Sequence, residues 1–136
     1  MRINHLIIIF VYVFLLSSCI TNFEELSVDD TQIPDEVSYS RDIQPIFNST
    51  CGGGGCHVNN TAFGVNLTDY DRTMNSRGNQ YGTEVVIIGD AEASPLIDKV
   101  EPNPDFGSRM PLGANPLSPT QIQLIRDWID QGAKDN

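Results

Sequence analysis

The chain has 136 residues and a formal net charge of −10 at pH 7. That length holds one small domain and excludes a large enzyme with a deep pocket. The acidic balance repels phosphate backbones, so nucleic acid is not an expected partner and neutral or basic partners are. The hydrophobic residues, 40% of the chain, are unevenly spread. Residues 1–18 are mostly apolar, residues 38–136 are only about a third apolar, and the latter hold all 11 Gly. So thin a core ordinarily needs a staple: a disulfide, a metal or a bound cofactor.

At the N-terminus, Arg2 precedes an unbroken apolar run from Leu6 to Leu16. The run is too short to cross a hydrocarbon core of roughly 30 Å, and it has the layout of an export signal. Leu16-Ser17-Ser18-Cys19 follows. These residues resemble the lipobox of bacterial lipoproteins. The resemblance implies that residues 1–18 are a signal peptide and that Cys19 is lipidated. The acyl chain would then anchor the protein to a membrane of the cell envelope, on the outer-membrane or periplasmic face or exposed at the surface. Residues 19–37 carry acidic charge only and no sustained period, and read as a solvated tether.

The domain proper is expected over residues 38–136. Ser40 is a plausible N-cap for a helix to about Ser49, with Ile43, Ile46 and Phe47 on one face and Pro45 removing one backbone bond. A further turn of helix is expected over residues 68–75. Glu84 to Ile88 has strand composition but no partner run, and reads as an extended segment. Ser94 as cap and Pro95 at the first position predict a short helix carrying Leu96, Ile97 and Val100. Residues 101–117, rich in Pro and Gly, read as an ordered loop. Ser118-Pro119-Thr120-Gln121 spells a capping box ahead of a stripe of Ile122, Ile125 and Ile129, flanked by Leu124 and Trp128. Arg126, Asp127 and Asp130 fall on the outward side, and Gly132 stops the helix. The fold class is all-α.

The chemistry concentrates in Cys51-Gly52-Gly53-Gly54-Gly55-Cys56-His57. Three readings use it. Structural zinc needs four ligands, and these residues supply three. A Cys51–Cys56 disulfide suits an oxidising compartment, though so short a loop stabilises modestly. Covalent haem uses two thiols and a His directly after the second one. The usual spacing between the thiols is two residues; here four glycines intervene, and they can bulge and adopt positive φ freely. A haem iron with His57 on one face takes a second ligand or leaves an open site. Met110, in Arg109-Met110-Pro111, is the candidate, and Met74 the competitor. Arg109 is placed either against a haem propionate or facing solvent.

Tyr39-Ser40-Arg41-Asp42-Ile43-Gln44-Pro45-Ile46-Phe47, then Cys56-His57, is similar to the opening of planctomycete-type cytochrome c domains. Gly89-Asp90, Ser94-Pro95-Leu96-Ile97, Arg109-Met110-Pro111, Leu117-Ser118, Trp128-Ile129 and Gly132-Ala133 follow in the family's order, so the resemblance covers about residues 38–135. It implies a small cytochrome c-like fold, with about three to five short helices around one haem c and long Pro/Gly-rich loops. It also implies thioether bonds from Cys51 and Cys56, axial ligands His57 and Met110, and electron transfer to a redox partner protein without enzymatic chemistry. The four-Gly spacing departs from the family. Two other functions stay open at this level: a haem-free surface lipoprotein with a Cys51–Cys56 disulfide that binds or scaffolds, and a small haem enzyme with an open iron site.

Overall fold

The computed structural model describes residues 34–136. The expected signal peptide, the lipidated Cys19 and most of the tether lie outside the described residues. Among those described, the architecture is helical, with four helical segments, long ordered connections and no strand beyond isolated bridges. No described helix is long and apolar enough to cross a membrane.

The first segment, α1, covers residues 39–51 and is not a regular α-helix. Wide π turns at Tyr39–Ile43 and Phe47–Cys51 flank a short α turn at Gln44–Ile46. Pro45 gives the reason. It has no N–H to donate, and its ring would press on the carbonyl one α turn back. Widened turns move that carbonyl away, and Ile43 and Gln44 bond instead to Ser38 and Tyr39, five residues earlier. The cap also moves. Ser38, not Ser40, accepts from the Arg41 amide, while the Ser40 hydroxyl donates to the Asn136 carbonyl.

The packed region starts slightly before residue 38. Val37 is buried and donates its N–H to Gln131, and Glu36 pairs with Lys134. An apolar side chain with a buried amide cannot belong to a solvated tether, so the tether ends earlier than its composition indicates.

Helix α2 is Tyr70–Met74, capped by Asp69, whose carboxylate accepts from the Arg72 amide. Residues 84–88 make a single antiparallel bridge, between Glu84 and Arg77, bend at Val85 and enter a turn at Ile88. Helix α3 is Pro95–Val100. Ser94 precedes it but makes no side-chain cap. Its buried hydroxyl donates to the Asp90 carbonyl and accepts from the Ile87 amide, clamping the loop before the helix. Helix α4, Pro119–Asp130, has both bonds of the capping box between Ser118 and Gln121.

Ile125, Trp128 and Ile129 of α4 bury against Tyr39, Ile43 and Phe47 of α1 and against Leu96 and Ile97 of α3 in one core. Ile122 and Leu124 are only partly buried at its edge. Arg126 is not a free outward charge. It is 22% exposed and bridges Glu101, just past α3, and Glu92. Tyr39 sits deep enough that burial pushes its phenol up to about 12, and its hydroxyl pairs with Gln44 and Thr73. These contacts fix α1, α3 and α4 around one side of a cleft.

Candidate functional site

The cleft encloses about 680 Å3, its open mouth included. Most of that is open solvent: the enclosed part is about 90 Å3, well below the roughly 300–1,000 Å3 of ordinary ligand pockets. Its wall is almost wholly apolar, with Val65, Leu67, Val85, Leu96 and Val100 among its residues. Cys51, His57 and Met110 line the same cleft. Cys51 and His57, six residues apart in one loop, and Met110, 53 residues further on, thus line one apolar space.

Backbone bonds hold each of them. Cys51 ends α1, and its carbonyl accepts from the His57 amide at 3.0 Å, closing the glycine loop. The His57 carbonyl in turn accepts from the Leu67 amide. Within the loop Gly54 and Gly55 have positive φ, and a Cβ on Gly53, Gly54 or Gly55 would meet nothing within 4 Å. The surplus residues bulge outward and leave both loop ends in place. The Asn60 amide group donates to the Gly55 carbonyl and fixes the bulge.

The His57 Nδ1 lies 3.2 Å from the Val65 carbonyl oxygen. With the proton on Nδ1 that bond orients the ring, and Nε2 is the nitrogen whose lone pair is free. Met110 is held by its backbone. Its N–H donates to the Lys99 carbonyl at 2.8 Å, and the Arg109 Nε donates to the Val100 carbonyl at 2.6 Å. These carbonyls are orphans at the end of α3, so the Arg109-Met110 loop caps the helix while carrying the Met side chain to the cleft. Arg109 is accordingly half-buried beside α3 and is not among the residues lining the cleft. Met74 also lies away from the cleft, partly buried against the core.

The two thiols differ. Cys51 lines the cleft, and burial pushes its thiol above the ordinary range. Cys56 is exposed and outside the cleft lining, and neither thiol is in a disulfide. In the haem-free reduced chain, iodoacetamide is therefore expected to modify Cys56 about tenfold faster than Cys51 at pH 8, because the buried thiol holds less thiolate and is shielded. Equal rates, read by peptide mass mapping, would contradict this placement.

Four further cleft residues carry polar groups that no motif announces: Asn79, Gln80, Tyr81 and Lys99. The Lys99 ammonium donates to the carbonyls of Phe106 and Ser108 and lies 6.0 Å from the Tyr81 ring centre. The Tyr81 hydroxyl donates to Asp98. Lys99 was detectable in the sequence, since Leu96, Lys99 and Val100 share one helix face by their i, i+3, i+4 spacing.

Among the described residues no group of three or more His, Cys, Asp or Glu is gathered that could hold a lone metal ion, so the zinc reading has no ligand set. The donors fit a haem instead: an imidazole with its second nitrogen engaged, a thioether, a thiol at the cleft and a second thiol beside the imidazole in sequence, against an apolar wall. No family model, no curated protein and no solved structure matches the chain.

Proposed function

We propose that the chain is a membrane-anchored mono-haem c-type cytochrome that carries electrons. The single observation that supports this most is the convergence of Cys51, His57 and Met110 on one apolar cleft. When bound, the haem would supply a one-electron couple. Cys51 and Cys56 would hold it covalently, and His57 and Met110 would ligate the iron. The Val65 carbonyl lies against the His57 Nδ1, and the α3-capping loop holds the Met110 main chain at the cleft. The apolar wall excludes water, and together with the Met sulfur that favours the less charged ferrous state. The Lys99 ammonium offers a positive charge to carboxylates at the cleft, a part that is one of the two readings of Arg109. The fold in this reading is cytochrome c-like, and Cys19 tethers it to the cell envelope. The net charge of −10 suits a basic redox partner and salt-dependent transfer rates.

The test is expression of the full chain with and without a c-type maturation system. With maturation the purified protein is expected to be red, to keep its haem through acid-acetone extraction, and to show one haem adduct by mass. A colourless product whose mass shows only the two-proton loss of a Cys51–Cys56 disulfide would overturn the cytochrome and favour a haem-free binding module.

A further inference from the structure

Phe63 is unusual on three counts. It lines the cleft, it is 73% exposed, and its backbone has a φ of 53°. An aromatic residue rarely takes the left-handed region, because Cβ crowds the following backbone there. The surroundings enforce it. Ala62 to Val65 form a tight turn closed by the Val65 amide on the Ala62 carbonyl, with positive φ at both central residues, Phe63 and Gly64. Those are the φ values of a type I′ turn, which favours Asn-Gly at its centre. Only glycine fits the second position, because a Cβ on Gly64 would come within 2.1 Å of the Arg77 carbonyl oxygen. The Phe63 and Gly64 carbonyls then accept from the amides of Asn79 and Arg77 and lock the turn to the neighbouring segment.

The fold thus holds a large apolar ring at the cleft, mostly in water, on a backbone that a polar residue would suit better. Local stability favours Asn at this position on both counts. A strained outlier that costs the empty fold something is explained when the ring has work at the site. The same turn also delivers the Val65 carbonyl that orients His57, so the position of Phe63 is tied to the ligating side of the cleft.

We infer that Phe63 is a cap: its ring closes over a flat apolar macrocycle in the cleft and keeps water and small ligands from it. The inference rests on the cytochrome reading and adds a residue that governs access. It demands effects of opposite sign in the empty and loaded protein.

The experiment compares the full chain with Phe63→Asn and Phe63→Leu, each made haem-free and haem-loaded. Haem-free Phe63→Asn is expected to melt about 4 °C above the parent, because the turn gains a residue that accepts positive φ. Haem-loaded Phe63→Asn is expected to bind added imidazole at the ferric iron about tenfold faster than the parent, and to have a lower reduction potential as water enters. Phe63→Leu, which keeps an apolar side chain, should hold imidazole binding near the parent rate. Imidazole kinetics within twofold of the parent in haem-loaded Phe63→Asn would overturn the cap while leaving the cytochrome intact. A lower melting temperature in haem-free Phe63→Asn would overturn it too, by showing that Phe63 serves the fold. A chain that takes up no haem under maturation overturns the cytochrome reading, and the cap falls with it.

Discussion

Met110→Ala is expected to give a folded, red protein that lacks the long-wavelength absorption of a ferric iron bound to a Met sulfur, and whose reduction potential has fallen. The fold should survive because Met110 is only partly buried and its loop is held by the main chain. The Met110 amide stays on the Lys99 carbonyl and the Arg109 guanidinium stays on the Val100 carbonyl, whatever side chain position 110 carries. Removing the thioether takes away a soft ligand that stabilises ferrous iron. The potential is expected to fall by on the order of 0.1 V, a modest part of the roughly 0.8 V that axial ligation spans among haem proteins. Met74→Ala is the control, because Met74 packs on the core away from the cleft and should leave the absorption unchanged. If Met110→Ala keeps the Met-sulfur absorption and Met74→Ala loses it, the ligand assignment is reversed. If the parent lacks that absorption, the iron site is open, and small-ligand chemistry replaces electron carriage as the reading.

Helix α4 was legible almost residue by residue, because Ser118, Pro119 and Gln121 act through local bonds that need no tertiary context. The glycine loop was legible for the same reason. Positive φ and open space at Gly54 and Gly55 are what a run of glycines permits. The start of α1 was not. Whether Ser38 or Ser40 caps depends on how far Pro45 unwinds the helix and on Asn136, which engages Ser38 and Ser40 from the far end of the chain. Ser94 misled similarly, since its hydroxyl was taken by loop carbonyl and amide groups that no helix pattern reveals. In the cleft, the chemical candidates Cys51, His57 and Met110 could be read as residue types in order, but their meeting could not. The main-chain bond of the Met110 loop to α3 and that of His57 to Cys51 set them around one cleft. Arg109 shows the limit most clearly. Adjacent to a proposed ligand, it could be read as a site residue, whereas in the fold it caps the end of α3 and Lys99 takes a place at the cleft.

Trp128→Ala is expected to cost the domain about 3–5 kcal/mol, the usual range for truncating a fully buried large aromatic. The ring is 1% exposed and its Nε1–H donates to the Lys134 carbonyl at 2.9 Å. It tilts against Tyr39 at 5.3 Å between centres, and Tyr39 in turn packs edge-on against Tyr70 at 5.2 Å. The Tyr70 hydroxyl closes the cluster on the Ala133 carbonyl. The ring ties α4 to α1 and the C-terminal residues, with α2 joined through Tyr39, and alanine would leave a void that these neighbours cannot fill together. A domain of this size has about 5–15 kcal/mol in total, so the loss is a large share of it and should lower the melting temperature by more than about 10 °C. Trp128→Phe keeps most of the apolar ring and forfeits the Nε1 bond, and should fall well short of that loss. Because Trp128 does not line the cleft, haem-loaded Trp128→Phe should keep the parent spectrum while melting earlier. Thermal melts of both variants, with absorption spectra taken on the same samples, separate the fold from the site. A Trp128→Ala melting temperature within a few degrees of the parent would mean that the aromatic cluster is not the support of this fold. A shifted spectrum in Trp128→Phe would mean that core and cleft are coupled more tightly than their separate linings indicate.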